Sequence, residues 1–415
     1  GSVGSTVNEV EFQKKGTIIS SGAGLPRPYF GTAIFLDNGD IYGDNSFMTL
    51  DLAGGKSYRF DDGKTQTIVS GGTLNASGSG CSDNITLISR SAGAQAFVNT
   101  SGANFPLQYV TVMDIAVTGG GSITAGNSID LGNNTGWTIT APMSRDLYWV
   151  GGGGNWNDIL HWSLSSGGGG GACIPSAFDN VFFDQNSGFG SGQSVTVNDA
   201  IGYCHDMMWS NVANSPEFKV SSSSNKLYVY GSLALEPGMT LNFNGEMRFR
   251  STSSGETILT GGNTFTKNIY LEGAGGGWTF SDDFTSDGDI RQSAGTLRTD
   301  NHTLMVDDII AGGSSIYLGS SDVHVAVNFS VGSGTILDAG TSHLYMGSGG
   351  HLNASVSHTL YNVTIAGSGG LVSDCNIDQK LTFLGAGTYE GSVGSTVNEV
   401  EFQKKGTIIS SGAGL

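Results

Sequence analysis

The residue types in this chain that could do chemistry are aspartates close to arginines. A polysaccharide lyase needs a basic residue that removes a proton and carboxylates that bind calcium beside an anionic sugar. Candidates of this kind are Asp282, Asp283, Asp287 and Asp289 near Arg291 and Arg298, and the pair Asp307 and Asp308. Aspartate is also a common turn residue in β proteins. The turn role is favoured, and we predict that the protein is not an enzyme.

A second group of aspartates could bind calcium. Asp37, Asp40 and Asp44 place carboxylates around a glycine-bearing turn, and calcium prefers oxygen ligands. Their spacing does not follow the D-x-[DN]-x-[DN]-G loop, and ordinary Asx-turns explain it. We predict no cofactor, with these three residues as weak calcium candidates.

Other catalytic patterns are missing from the sequence. The seven histidines are scattered, without an H-E-x-x-H motif or a pair at i, i+4. The glycine-rich run Gly188–Gly192 lacks the lysine and the following helix that a phosphate loop requires. Its glycines therefore indicate turns.

The four cysteines have no C-x-x-C spacing, which argues against a zinc or thioredoxin-like site. Cys173 and Cys204 flank a strand-like run, and we predict a disulfide between them. Buried free thiols are the alternative.

Tryptophans concentrate in one stretch rich in glycine. Trp149, Trp156, Trp162 and Trp209 could form an exposed patch that stacks on sugars, or they could pack inside the protein. Packing is the favoured interpretation.

The elements that would carry these residues are β-strands. Apolar and polar residues alternate over four to seven positions between Gly, Asn, Asp or Ser, and helical periodicity is almost absent. The chain has 67 glycines and seven prolines. We predict an all-β, glycine-rich parallel β-helix of roughly 20–25 residues per turn, hence about 16–19 turns. A string of β-sandwich domains is the alternative.

The net charge is −18. So acidic a surface repels phosphate backbones and anionic membranes, and we predict no nucleic-acid partner. The sequence has no run of about 18 apolar residues, so we expect no membrane insertion by this segment.

The last 25 residues, 391–415, repeat residues 1–25 without a change. Since position 391 restates position 1, the period is 390 residues, and a fixed period indicates a tandem-repeat protein. We predict a β-solenoid segment over 1–147, a Trp/Gly-rich β module over 148–213, a second solenoid segment over 214–390, and the start of the next repeat at 391–415.

Several stretches resemble repeats of giant extracellular adhesin and filament proteins of gliding Bacteroidota, which leave the cell by type IX secretion. They are Tyr148–Ser163 (YWVGGGGNWNDILHWS), Ile174–Asp184, Tyr203–Trp209, Gly295–Val306 and Leu131–Thr140. The resemblance covers most of the chain in circularly shifted register, and the tryptophan stretch is its most specific part. It implies secretion, surface display, very long polypeptides, and roles in adhesion, gliding or appendages.

These observations predict a structural protein. We expect the repeat unit of a very long secreted chain that forms an extracellular filament or appendage used for attachment. Its partners would be identical chains side by side, and the preceding and following repeats of its own chain. The alternative is a cell-surface adhesin whose repeats bind glycans or proteins on other surfaces.

Overall fold

The protein folds into two compact units, residues 1–143 (unit 1) and residues 144–415 (unit 2). The computed structural model describes residues 4–20, 27–91 and 93–411. The parts of the duplicated segment at 1–3, 21–25 and 412–415 therefore lie outside the described residues. Each unit is a parallel β-solenoid, and the fold has about 19 turns in all.

The described part of unit 1 contains short strands and one 3-10 helix, Cys81–Asp83. The strands are β1 (Thr6–Phe12), β2 (Gly16–Ile19), β3 (Tyr29–Phe35), β4 (Gly39–Tyr42), β5 (Asn45–Leu52), β6 (Ser57–Phe60), β7 (Thr65–Asn75), β8 (Ile85–Ser89), β9 (Ala96–Asn99), β10 (Asn104–Gln108), β11 (Val110–Met113), β12 (Ile115–Thr118), β13 (Ser122–Gly126), β14 (Ile129–Asp130) and β15 (Trp137–Ile139). They form three sheets, in the orders β1-β3-β5-β7-β9-β12, β2-β4-β6-β8-β11-β14 and β10-β13-β15.

Unit 2 begins with strands of the same kind and one 3-10 helix, Ile159–His161. Its first strands are β16 (Asp146–Trp149), β17 (Gly154–Asn155), β18 (Trp162–Ser163), β19 (Asn180–Phe183), β20 (Ser194–Val197), β21 (Ile201–Cys204), β22 (Met207–Trp209), β23 (Glu217–Val220), β24 (Lys226–Val229), β25 (Leu233–Ala234), β26 (Thr240–Phe243), β27 (Glu246–Phe249), β28 (Glu256–Leu259), β29 (Thr264–Phe265) and β30 (Ile269–Leu271).

The remaining strands of unit 2 continue to the end of the described chain. They are β31 (Gly277–Phe280), β32 (Phe284–Ser286), β33 (Ile290–Gln292), β34 (Thr296–Arg298), β35 (Leu304–Ala311), β36 (Ser315–Tyr317), β37 (Asp322–Val331), β38 (Ile336–Asp338), β39 (His343–Met346), β40 (His351–Asn353), β41 (Thr359–Ile365), β42 (Gly370–Ser373), β43 (Asn376–Phe383), β44 (Gly387–Ser392), β45 (Val397–Phe402) and β46 (Gly406–Ser411).

One turn of unit 2 passes through strands of different sheets. Strand β22 belongs to a ten-stranded sheet, β23 to a four-stranded sheet and β24 to a seventeen-stranded sheet that ends with β46. In the described chain the named strand pairs are parallel, except that β16 and β18 are antiparallel. Parallel pairing between successive turns defines a solenoid, whereas β-sandwiches are built from antiparallel sheets. The predicted fold class is confirmed.

Alternation along each strand produces the core. In β24, Leu227 and Val229 point inward and are buried, whereas Lys226 and Tyr228 are partly exposed. The parallel register then places like residues above one another: Leu227 is opposite Met247, which is opposite Ile269. All three have no exposed surface. Each turn thus buries its apolar row against its two neighbours, which is why the short strands are stable only as a stack.

The division between the two units falls at residues 143 and 144. Within the Trp/Gly-rich stretch 148–213, β19 and β22 lie in the same sheet as β25 and β28. This stretch forms the first turns of unit 2.

Candidate functional site

The four candidate tryptophans lie in the first turns of unit 2 and are buried. Trp149 is on β16, Trp162 on β18 and Trp209 on β22, and Trp156 follows β17. None exposes more than 2% of its surface. A ring that is covered by protein on both faces cannot stack on a sugar. The structure therefore places these residues in packing roles.

The rings form a mutually supporting cluster. Trp162 meets Trp149 edge to face at 5.0 Å and meets Trp156 at 4.9 Å. The indole nitrogen of Trp162 donates to the Trp156 carbonyl oxygen at 2.8 Å. Phe183 stacks on Trp209 at 3.7 Å and connects this cluster to the next turn. Edge-to-face contacts and a satisfied indole N–H make it a specific, rigid core.

This cluster closes one edge of unit 2. Strand β18 is the outermost strand of its sheet, and its Trp162 lies opposite Trp149 in antiparallel register. An antiparallel partner interrupts the parallel ladder, so it ends the stack at this edge. The glycines of the predicted module belong to the loops that allow the chain to reverse here.

The predicted disulfide between Cys173 and Cys204 is wrong. Cys173 is disulfide-bonded, but Cys204 carries a free thiol with no exposed surface. Cys204 is the inward residue of β21 and packs among the apolar core residues of unit 2. Tyr203, the residue before Cys204 on β21, faces outward. Cys375 is also a buried free thiol, and burial raises its pKa to about 12.

The calcium candidate Asp40 is held by cations of the protein itself. Its carboxylate accepts two hydrogen bonds from Arg59, at 2.6 and 2.9 Å, and lies 3.3 Å from the Lys15 ammonium. The Arg59 guanidinium holds the pKa of Asp40 below its ordinary value. A calcium ion would have to displace Arg59 in order to bind this carboxylate.

The other two candidates have separate partners. Asp37 accepts a hydrogen bond from the Asn38 N–H at 2.8 Å and pairs with Lys56 at 3.2 Å, and these contacts lower its pKa. Asp44 accepts a hydrogen bond from the Thr65 N–H at 2.8 Å. Within the described part of the chain, no three His, Cys, Asp or Glu side chains are grouped to hold a metal ion.

We expect Asp40→Asn to lower the free energy of unfolding of unit 1 by roughly 1–2 kcal/mol at pH 7, because it removes a charge-assisted pair of hydrogen bonds. Since the folded-state pKa of Asp40 is lowered, this stabilisation is present above the unfolded pKa of about 3.9 and is lost as the pH falls through the folded value.

Hydrogen exchange of peptides from residues 29–60 in urea, at pH 7 and pH 3, measures this loss of stability. Asp62→Asn, which neutralises a carboxylate that accepts a hydrogen bond from Ser91, is the control. An equal loss for Asp40→Asn at both pH values would contradict the expectation.

The lyase candidates connect neighbouring turns of unit 2. Asp282 accepts hydrogen bonds from the N–H groups of Thr260 and Gly262 at 2.8 and 3.1 Å. Asp283 accepts one from the Thr303 N–H at 2.8 Å, and Asp308 one from the Asn328 N–H at 2.7 Å.

Most of the remaining members of this group lie near one another, whereas Arg298 is on a strand of another sheet. Asp289 pairs with Arg291 at 2.7 Å. Burial, followed by the charges of Asp289, Asp308 and Asp287, raises the pKa of Asp307. Arg298 lies 4.0 Å above the Tyr317 ring. The carboxylates of Asp282, Asp283 and Asp308 thus bond to backbone N–H groups of a neighbouring solenoid turn and connect successive turns.

An outward row of tyrosine and arginine was missed in the sequence. Tyr203 meets Tyr228 edge to face at 5.8 Å. Tyr228 is in register with Arg248, whose guanidinium lies 4.1 Å above the Tyr270 ring. These side chains are partly exposed, and such rings and guanidinium groups are typical of recognition surfaces. The four residues occupy the outward position of successive turns, a pattern that the sequence shows only after the turns have been aligned.

The duplicated segment occupies two different positions. Its first copy supplies β1 and β2, which we call the head coil (Thr6–Ile19), at the start of unit 1. The head coil pairs with β3 and β4, the acceptor coil (Tyr29–Tyr42). Its second copy supplies β45 and β46, the tail coil (Val397–Ser411), which pairs with β43 and β44 at the end of unit 2. The same sequence therefore binds a following turn in one place and a preceding turn in the other.

A corner motif, Phe-x-x-x-Gly, continues through both copies. It occurs at Phe383–Gly387 and Phe402–Gly406 in unit 2, and at Phe12–Gly16 and Phe35–Gly39 in unit 1. The phenylalanines stack at 4.8 Å in unit 2 and at 4.6 Å in unit 1. A Cβ atom on any of the four glycines would lie within 2.7 Å of a ring atom of the preceding phenylalanine. Glycine is required here because the ring fills the corner.

Comparisons with protein-family models, with curated proteins and with solved structures find no match for this chain. Among residues 4–20, 27–91 and 93–411, no helix is long and apolar enough to cross a bilayer.

Proposed function

We propose that this chain is a structural repeat unit of a very long secreted protein that forms an extracellular filament or appendage used for attachment. The observation that carries the proposal is the double role of the duplicated segment. Because the tail coil completes the ladder of unit 2 and the head coil starts the ladder of unit 1, successive repeats can share this turn. The solenoid then passes from one repeat to the next without a linker.

The architecture suits a load-bearing role. Within each unit, each turn binds the next through backbone hydrogen bonds and an apolar row, so a force along that unit is distributed over many contacts. The disulfide at Cys173 supports an oxidising, extracellular setting. We propose identical chains as lateral partners, and neither catalysis nor a cofactor is needed for this role.

An adhesin remains the second candidate, and one observation favours it. The outward row Tyr203, Tyr228, Arg248 and Tyr270 presents rings and a guanidinium on one face of unit 2. Such a row could bind a glycan or a protein. Arg248 is already paired with Glu246 at 2.7 Å and with Glu272, which leaves it less available for an external ligand.

Electron cryomicroscopy of the native parent protein, or of cell-surface material that contains it, tests the proposal. We expect a multi-stranded filament whose axial period is set by the 390-residue unit. Single flexible threads without lateral partners would overturn the filament and favour the adhesin, which glycan-array binding would then examine.

A further inference from the structure

We infer that Tyr203 and Tyr228 form a site of oxidative cross-linking, at which a one-electron oxidant joins the two rings as dityrosine. The inference goes beyond the proposed function, because it assigns a covalent modification within one chain and does not depend on how chains assemble. The oxidant that the reaction requires is hydrogen peroxide acting through a peroxidase. The modification connects two successive turns of unit 2.

The backbone ladder holds the two tyrosines next to each other. Tyr203 is on β21 and Tyr228 on β24, and the two residues are directly opposite in the parallel register of these strands. Their rings meet edge to face with centroids 5.8 Å apart. Paired strands lie about 4.8 Å apart, so the pairing of the strands already brings the two side chains within contact distance.

The pair is distinct among the tyrosines of this chain. All 13 tyrosines lie within residues 27–91 and 93–411, and in those ranges Tyr203 and Tyr228 are the one ring contact between two tyrosines. Other tyrosine rings contact phenylalanine, histidine or arginine, as at Tyr148, Tyr345 and Tyr270. Two phenoxyl radicals couple when their rings meet, and holding the rings together favours that step over encounters between distant residues.

The two rings are accessible from solvent, and one of them is restrained. Both residues occupy outward positions and are partly exposed. The Arg250 guanidinium lies 4.8 Å above the Tyr228 ring, and Arg250 itself pairs with Glu272 at 3.5 Å. A cation over one face is attracted to the ring and limits its rotation. An oxidant in solution thus meets a pair whose geometry is already favourable.

Both phenols are protonated at neutral pH. Burial raises the pKa of Tyr203, and the nearby phenols of Tyr230 and Tyr228 raise it further. Burial likewise raises the pKa of Tyr228. Each phenol therefore loses its proton together with the electron and becomes a neutral phenoxyl radical.

The reaction balances in atoms and electrons. Each phenol O–H group gives one electron and one proton to the oxidant. Hydrogen peroxide accepts both electrons and both protons, its O–O bond breaks, and it leaves as two water molecules. The two radicals form one C–C bond between the ring carbons next to the hydroxyl-bearing carbons. The hydrogen on each of these ring carbons then moves to the oxygen, which restores both phenols.

The link would stabilise the first turns of unit 2. Positions 203 and 228 are 25 residues apart, so a bond between them closes a loop from one turn to the next. A cross-link of this kind lowers the conformational entropy of the unfolded chain. Unlike a disulfide, the C–C bond is not broken by thiols.

Oxidation of the folded full chain tests the site. The protein is treated with hydrogen peroxide and a haem peroxidase at low chain concentration, which keeps coupling between chains rare. Trypsin cleaves after Lys219 and Lys226 and so separates the two tyrosines. We expect mass spectrometry to find the peptide with Tyr203 joined to the peptide with Tyr228, lighter by two hydrogens than the two peptides together.

Three matched substitutions identify the partners. Tyr203→Phe and Tyr228→Phe should each lower the yield of intrachain dityrosine at least about tenfold, because either change removes one of the two phenols held in contact. Tyr230→Phe is the control, since Tyr230 is also partly exposed and belongs to the same tryptic peptide as Tyr228. It should leave the yield within about twofold of that of the unsubstituted chain, because it changes neither ring of the pair. Circular dichroism checks that the variants fold.

Oxidation of the chain unfolded in urea separates proximity from the intrinsic reactivity of each tyrosine. There the link between residues 203 and 228 should lose its preference over other tyrosine pairs. An equal yield in the folded and the unfolded chain would overturn the inference, and so would a yield that Tyr230→Phe lowers as much as Tyr203→Phe does. Oxidation of the folded chain without a product that joins residues 203 and 228 would overturn it as well. None of these outcomes bears on the filament, which the axial period tests separately.

Discussion

Trp162→Ala is expected to lower the free energy of unfolding of unit 2 by about 3–5 kcal/mol, the range for removing a large buried aromatic side chain. Trp162 has no exposed surface, and its ring contacts both Trp149 and Trp156. Its removal leaves a cavity between two rings and leaves the Trp156 carbonyl oxygen without the indole donor. Because these residues close the edge of the stack, the first turns of unit 2 should open before the rest.

Denaturant unfolding followed by tryptophan fluorescence measures this effect, since five of the six tryptophans, all except Trp137, lie in unit 2. Met208→Ala is the matched control, because Met208 is on β22 of the same sheet and is 45% exposed. It should change the free energy of unfolding by less than about 1 kcal/mol. If Trp162→Ala were as mild as this control, the cluster would not be a structural core.

The fold could be predicted because its signals repeat. Alternation within strands such as Lys226–Val229 identifies inward residues, and glycine at the corners sets the length of a turn. Both signals recur from turn to turn. A wrong assignment of one strand therefore does not change the predicted fold class. The predicted range of about 16–19 turns agrees with the observed number of about 19.

The site residues were harder to predict because they depend on contacts between turns. The alternation in β21 already placed Cys204 inward, but spacing along the chain does not tell which cysteines meet in space. The row from Tyr203 to Tyr270 becomes visible only when successive turns are aligned.

Two turns of unit 2 approach each other closely at Gly385. A Cβ atom on Gly385 would lie 1.7 Å from the carbonyl oxygen of Gly367 and 2.0 Å from its carbonyl carbon. Both atoms belong to the backbone of the preceding turn, so neither can rotate away as a side chain could. We expect Gly385→Ala to separate these turns and to lower the free energy of unfolding of this region by roughly 2–3 kcal/mol.

Hydrogen exchange with mass spectrometry locates that loss. Stability in a solenoid is transmitted mainly between neighbouring turns, so amides in residues 359–411 should exchange faster in Gly385→Ala while those in residues 207–249 stay protected. Gly312→Ala is the control, because a Cβ atom there has no neighbour within 4 Å. Uniform loss of protection along unit 2 would instead mean that the turns unfold as one cooperative body. In that case the tail coil, which packs directly on β43 and β44, should lose its protection only together with the tryptophan cluster. The end of unit 2 would then be as stable as its start.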